Sequence, residues 1–275
     1  MAFDIGIIAH LRCEQDEFVR IAEMGFAVCQ LQCWNPGLYT KESAEEIAKK
    51  SKAAGVRITT LWTGWTGKTI WDFISGPSTL GIVPPQMRAQ RAKELKQGAD
   101  FASLINVPAI ITHLGFIPEN PSDPNYASVV ETVTDVAQYC KNLGLGFWFE
   151  SGQETPVTLL RLIEDVGMPN LGINLDTGNL ILYGKANPLD ALDVFGKYVC
   201  NLHIKDALYP TNGRELGKEV RLGEGKVDFP RILSRLKNIG FTGELIIERE
   251  RAGERQKADI IDAHRYLKRL LKELL

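Results

Sequence analysis

Eight short apolar runs, each followed by a longer amphipathic segment, predict a (β/α)8 barrel for this chain. Its 275 residues also suit one such barrel, which typically takes ~250. An open doubly wound sheet would normally carry a Gly-rich phosphate loop after its first strand, and IAHLRCEQ (8–15) has none. We therefore expect one barrel domain over residues 1–275, with no linker or low-complexity tract to divide it.

In order, the strand candidates are FDIGII (3–8), AVCQLQC (27–33), VRITTLW (56–62), PAIITH (108–113), LGFWFE (145–150), LGINLD (171–176), VCNLH (199–203) and ELIIE (244–248). Between them stand helical patterns such as 41–55 and 126–144, and residues 258–275 carry apolar residues at helical spacing and form the closing helix. Gly25, Gly55, Gly144, Gly167 and Gly240 each precede an apolar run, where a helix C-cap glycine belongs. Two longer loops, 63–85 and 206–227, interrupt the rhythm, and in a barrel such loops tend to shape the functional mouth.

Composition narrows the partners. Thirty-two basic against thirty-four acidic residues give a net charge of −2, which offers no footprint for nucleic acid or an anionic membrane. No apolar run approaches the ~20 residues of a membrane span, and the first residues lack a charged leader region, so we expect a cytoplasmic protein. The five cysteines, Cys13, Cys29, Cys33, Cys140 and Cys200, include no CxxC pair. Cys29 and Cys33 share a strand, where four residues span ~13 Å, beyond the ~7 Å reach of a disulfide. Free thiols are expected.

Alternate residues of a barrel strand face the interior. In LGINLD, Leu171, Ile173 and Leu175 take the helix side, leaving Gly172, Asn174 and Asp176 inside. The same parity turns Gly146, Trp148 and Glu150 inward, then Asn201 and His203 (opposite Cys200 and Leu202), then Ile246 and Glu248. Four consecutive strands thus end on inward ligand-type residues: Glu150, Asp176, His203 and Glu248. One strand-end carboxylate would be unremarkable as an ion-paired residue. Four converging on one mouth need a counter-charge, since buried charges are paired or hold metals. Three carboxylates and an imidazole suit one divalent ion, Mn²⁺ foremost, with Mg²⁺, Co²⁺ or Zn²⁺ as alternatives.

The segments FWFES, NLDTGN, NLHIKD, LGEGKVDF and LIIERE, in this order and spacing, resemble the xylose-isomerase-like barrel superfamily. The resemblance covers the second half closely and the first half only in rhythm. That superfamily holds isomerases and epimerases of sugars and sugar phosphates, inosose and dehydroshikimate dehydratases, and endonuclease IV. It implies that Glu150, Asp176, His203 and Glu248 match the metal ligands of tagatose and psicose epimerases, whose two glutamates also act as acid and base. One departure matters: where many relatives have a histidine three residues after the strand-six aspartate, this chain has Asn179. An amide binds a sugar hydroxyl well but a metal poorly. With only four histidines, His10, His113, His203 and His264, a trinuclear zinc nuclease centre is not expected.

Further residues are expected to bind substrate. His113 ends the fourth run with inward parity, and His10 follows the first; either could equally be a satisfied histidine of the barrel end. Lys205, inward like His203, could meet a substrate oxygen, against the alternative of a solvated loop lysine. Arg221, before LGEGKVDF, stands where the resemblance implies a substrate-contacting arginine. Of the tryptophans, Trp62 is the one we expect to wall a sugar, although core packing would explain a buried indole as well. His264, on the closing helix, is read as a surface or packing residue. The resulting expectation is a metal-dependent isomerase or epimerase of a small ketose, sugar phosphate or polyol-derived sugar. Proton transfer between Glu150 and Glu248 would run through an enediolate. Alternatives are a dehydratase of the same fold and, further off, an endonuclease IV-like phosphodiesterase. The partner is a small sugar or sugar phosphate, and self-association into a homo-oligomer is left open.

Overall fold

The computed structural model describes residues 3–11, 16–250 and 253–274, and in it all eight apolar runs form strands of one closed parallel barrel. In chain order these are β1 (Ile5–His10), β2 (Val28–Cys33), β3 (Arg57–Thr63), β4 (Ala109–Thr112), β5 (Gly146–Glu150), β6 (Leu171–Asp176) and β7 (Val199–Ile204), with β10 (Leu245–Ile247) closing against β1. The loop 206–227 is not irregular throughout: β8 (Asp206–Leu208) and β9 (Lys218–Val220) pair antiparallel as a separate ribbon.

The helices are α1 (Glu17–Glu23), α2 (Lys41–Ala54), α3 (Gly76–Thr79), α4 (Pro85–Leu104), α5 (Pro124–Asn142), α6 (Pro156–Val166), α7 (Asn179–Leu182), α8 (Pro188–Phe195), α9 (Phe229–Asn238) and α10 (Glu254–Leu274). Their starts are written in short signals. Asp123, Thr155 and Asn187 each cap a helix through the side chain, and each is followed by a proline at the first helical position. There the missing N–H is no loss, and the capping oxygen satisfies a free donor. At the other ends, Gly25, Gly55, Gly144, Gly167 and Gly240 all have positive φ, from 62° to 84°, as the helix-ending role requires.

Strand parity divides the molecule into two apolar regions. Phe147, Phe149, Ile173, Leu175, Leu202, Leu245 and Ile247 join the large core between barrel and helices. Trp62 of β3, Ile111 of β4 and Trp65 and Leu80 of the loop after β3 form a smaller cluster, with Trp148 packed against it. Parity does not hold throughout. Register shifts between Ile173 and Asn174 in the β6–β7 pairing, and Cys200 is drawn to the barrel floor beside Trp148 and Gly172, not to the helix side with Leu202. Cys29, Cys33, Cys140 and Cys200 are free thiols; Cys13 lies outside the described residues. His264 stacks on Phe26 with ring centres 4.3 Å apart, a packing role. Among the described residues no helix is long and apolar enough to cross a membrane.

The loop after β3 is tied down by residues of α4: Arg88 donates to the carbonyls of Ile82 and Val83, Glu94 accepts from Thr66, and Arg91 reaches deepest. Arg91, fully buried, donates to the carbonyls of Thr79 at 2.8 Å and Gly81 at 2.6 Å, and its guanidinium lies 5.1 Å from the Trp65 ring. Arg91→Ala would leave those buried carbonyls unpaired. Since hydrogen bonds from charged groups contribute ~1.5–3 kcal/mol each, we expect a marked fall in Tm and faster proteolysis within residues 64–84. Unchanged Tm and unchanged cleavage would show that the loop is held by other contacts.

Candidate metal centre

β5, β6, β7 and β10 end at one level because their registers run in step: Glu150 lies beside Asn174, Asp176 beside His203, and His203 beside Ile246. Glu248 follows one residue past β10. As a result, one ligand atom from each of Glu150, Asp176, His203 and Glu248 lies within 4.8 Å of the others. Asp176 and His203 are fully buried and Glu150 nearly so. The donor set fits a divalent cation: Asp176 Oδ2 and Glu248 Oε2 are buried and accept no hydrogen bond, an uncommon state for carboxylate oxygens. Lys205 Nζ stands 3.2 Å and 2.9 Å from these oxygens as an ion-pair partner, without the alignment of a hydrogen bond.

Neighbouring side chains orient each ligand. Gln30 on β2 donates through its amide to Thr60 Oγ1, so its oxygen, 2.7 Å from His203 Nε2, accepts from the ring. That turns His203 Nδ1 toward Glu150 Oε1 and Glu248 Oε2, each at 3.1 Å. An imidazole whose far nitrogen is occupied presents a fixed ligand atom. Glu150 receives the Trp62 indole N–H on Oε2 and the Asn179 amide at 3.2 Å on Oε1. His113 adds Nε2 at 3.2 Å from Oε1 and Nδ1 at 3.1 Å from the Glu150 carbonyl. Asp176 Oδ1 accepts the backbone N–H groups of Gly178 and Asn179 at 2.8 Å and 2.7 Å.

These surroundings titrate the ligands differently. Burial opposes ionisation of Glu150, but His113 and His203 outweigh it and hold its carboxyl well below the usual range. Burial likewise opposes the charge of Glu248, and Lys205 and His203 overcome it. For Asp176 burial prevails over Lys205, and the carboxyl rises to about 6. Burial also works against protonated Lys205, yet Asp176, Glu248 and Glu250 keep it firmly charged.

Of the residues expected from the sequence, Trp62, His113, Asn179 and Lys205 meet at the centre. Trp62 is buried and engaged with Glu150, not spread as an open wall. Two others are elsewhere. Arg221 is exposed and held by Asp259 and Asp262 of α10, because this acidic pair offers its guanidinium closer partners than the mouth does. His10 lines a cavity of about 120 Å³ with Phe18, Leu31 and Ile47, where β1 and β2 meet α1 and α2. Sequence reasoning missed Gln30, although glutamines at alternate positions of AVCQLQC signal polar residues inside a strand. It also missed Gln153, Glu154, Tyr183 and Glu250, which have no periodicity to betray them. Asp206, which entered the sequence reading only as the last residue of NLHIKD, builds the ribbon. Its carboxylate accepts the N–H groups of Ala207, Gly223, Gly225 and Val227. A Cβ on Gly225 would stand 2.0 Å from Asp206 Oδ1.

Two outcomes are expected. Purified protein should titrate with about one Mn²⁺ per chain, a stoichiometry that Asp176→Ala and His203→Ala should abolish or greatly weaken; equal binding by both variants would rule the centre out. Glu154, buried with little to offset the loss of water, has its carboxyl raised from 4.5 to about 7. The folded state therefore keeps a proton that the unfolded chain releases, so this residue lowers stability as pH rises from 4.5 to 7 and fully above that. Glu154→Gln should be more stable than wild type at pH 8, by at most on the order of 3 kcal/mol, with the gap closing toward pH 4.5. A gap independent of pH would contradict this.

Comparison with known proteins agrees with the architecture. A model of the xylose isomerase-like TIM barrel family matches residues 18–270. A crystal structure of a xylose isomerase domain protein from Planctomyces limnophilus is 36% identical, covers 100% of this chain and 99% of its own, and superposes with a TM-score of 0.94. A D-tagatose 3-epimerase-like protein shares the fold at 20% identity, with 98% of each chain covered and a TM-score of 0.75. An uncharacterized protein of Methanocaldococcus jannaschii is 26% identical over 194 residues, 66% of this chain, and the match spans only 61% of that relative's length. With the family model matched from α1 to α10 and a near-superposable barrel at 36% identity, the chain belongs to the xylose isomerase-like TIM barrel family.

Proposed function

We propose that this protein is a divalent-metal-dependent isomerase or epimerase of a small ketose or related sugar, moving a proton between Glu150 and Glu248. One observation carries the reading: two glutamates share a buried cluster, and each has its own set of partners. The fold likeness to a D-tagatose 3-epimerase-like protein is consistent with it.

Glu150, Asp176, His203 and Glu248 would hold the ion, Mn²⁺ before Mg²⁺, Co²⁺ or Zn²⁺. When bound, it would polarise a substrate carbonyl and make the neighbouring C–H more acidic. The residues do the rest. Glu150, kept ionised by His113 and His203 and oriented by Trp62 and Asn179, stands ready as a base at a fixed position. Glu248, kept ionised beside Lys205 and His203, serves the opposite side. One glutamate removes the proton next to the carbonyl, and the other, having first taken up a proton from solvent, delivers it to the opposite face. Lys205, ion-paired with Asp176 and Glu248, and His113, in contact with Glu150 through both ring nitrogens, keep the two glutamates charged and in place during the transfer. Buried side chains around the mouth keep water from the developing carbanion.

Glu→Gln keeps the shape and one ligand oxygen but cannot exchange protons. Glu150→Gln and Glu248→Gln, loaded with Mn²⁺, should each bind the ion and lose at least ~10²-fold in turnover, the lower range of acid–base catalysis. Wild-type protein in D₂O should place deuterium at the carbon beside the carbonyl. Near-wild-type turnover by both variants would sink the mechanism. Elimination of water from the substrate, in place of a rearranged sugar, would move the assignment to a dehydratase.

A further inference from the structure

Beside the four ligands lies a second set of buried polar groups that the proposed reaction does not use. Gln153, three residues after Glu150, is 1% exposed, and neither atom of its amide has a hydrogen-bond partner. Tyr183, which caps α7 seven residues after Asp176, is 5% exposed, and its hydroxyl is likewise unsatisfied. The two face each other without forming a well-aligned bond. The loops that carry them are in contact, since a Cβ on Gly152 would stand 3.0 Å from Asn179 Cβ. Asn179 in turn bonds Glu150 and Lys205, joining this pair to the metal centre. Phe73 and Phe116 pack edge-to-face with Tyr183, with ring centres 6.0 Å and 5.7 Å away.

Buried amides and hydroxyls are almost always paired, and leaving three such atoms unpaired at one spot is costly. A primary amide and a phenol both donate and accept. Their natural complement is a neutral hydroxyl, which also does both. A phosphate ester would find the wrong charge here. Glu154 is buried next to Gln153, Glu250 stands at the rim, and both lie within electrostatic range of Tyr183. The nearest cation, Lys205, already touches Asp176, Glu248 and Glu250, and Lys185 is engaged by Glu119 at 3.6 Å. A dianion placed here would lose its hydration, meet the charge of Glu250 and find Lys205 and Lys185 already engaged.

We infer that Gln153 and Tyr183 form a specificity subsite for a terminal hydroxyl of the substrate, so that the protein takes free, uncharged sugars and rejects their phosphate esters. This rests on the ketose reading for which molecule occupies the metal centre, but the subsite is read from its own residues.

Binding and turnover by Mn²⁺-loaded protein test it separately, with D-fructose, its 1-deoxy and 6-deoxy analogues, and its 1- and 6-phosphates as probes. Calorimetric Kd values should favour the free sugar over both phosphates, and removing one terminal hydroxyl should weaken binding about tenfold, as for one lost buried hydrogen bond. In Gln153→Ala and Tyr183→Phe that hydroxyl-to-deoxy ratio should fall toward one, which a merely structural role would not produce. Tyr183→Phe removes a single oxygen and keeps the test open if Gln153→Ala does not fold. Tighter binding of either phosphate would overturn the inference. So would indifference to both terminal hydroxyls, a ratio that survives in both variants, or no binding of the free sugar at its solubility limit. The expected binding pattern without turnover would instead remove the isomerase reading and leave the subsite standing.

Discussion

Three carboxylates crowd into a space less than 5 Å across at the end of four adjacent strands, and mutual repulsion together with lost hydration opposes that arrangement. The backbone enforces it. Closure of a parallel barrel fixes neighbouring registers, so residues of one parity on β5, β6, β7 and β10 must converge whatever their charge. Much of the mouth can be understood as a response to that constraint. Lys205 is buried among Asp176, Glu248 and Glu250 with its charge intact. His113 and His203 neutralise Glu150 from two sides. Two oxygens nevertheless remain without a hydrogen bond, one on Asp176 and one on Glu248, and this residual demand is what a divalent ion would meet.

The cluster is not symmetric. Glu150 is gripped by an indole, an amide and two imidazoles, whereas Glu248, the more exposed of the two glutamates, leans on Lys205 and His203. Under the proposed reaction the rigid glutamate would set the geometry of the reacting carbon, and the freer one would accommodate the change of configuration. Asp176, bound by two backbone N–H groups and raised to about 6 by burial, is the ligand whose charge depends most on what else occupies the centre.

Much of this was readable from the letters. Strand alternation in LGFWFE, LGINLD, VCNLH and ELIIE was enough to bring Glu150, Asp176, His203 and Glu248 to one point, because a two-residue period leaves little freedom about which side chains turn inward. It misplaced Cys200, where a register shift interrupts the alternation. Outside strands that logic has no purchase. Arg221 was assigned by its position before a glycine-rich turn, but charge partners on α10, distant in sequence, decide where a long flexible cation rests. Gln153, Glu154 and Tyr183 lie in connections whose path depends on packing between loops. Their importance shows only as burial and unmet hydrogen bonding, neither of which has a sequence signature. Gln30 is the exception: it sits in a strand at inward parity, and the signal was present.

The placement of the tryptophans has an optical consequence. Trp34, Trp62, Trp65 and Trp71, four of the five in the chain, form one cluster around the mouth, with ring centres between 4.7 Å and 6.3 Å for the neighbouring pairs. At such separations excitation passes readily between indoles, so light absorbed by any of them can emerge from the one of lowest energy. Trp62 donates its N–H to Glu150, and Trp71 stands edge-on to His113. Excitation of this cluster therefore samples two indoles, Trp62 and Trp71, that touch residues of the ionic centre, while Trp148 lies at the barrel floor. A change in the charge of Glu150 or His113 would thus be felt by an indole of this array, with no label required.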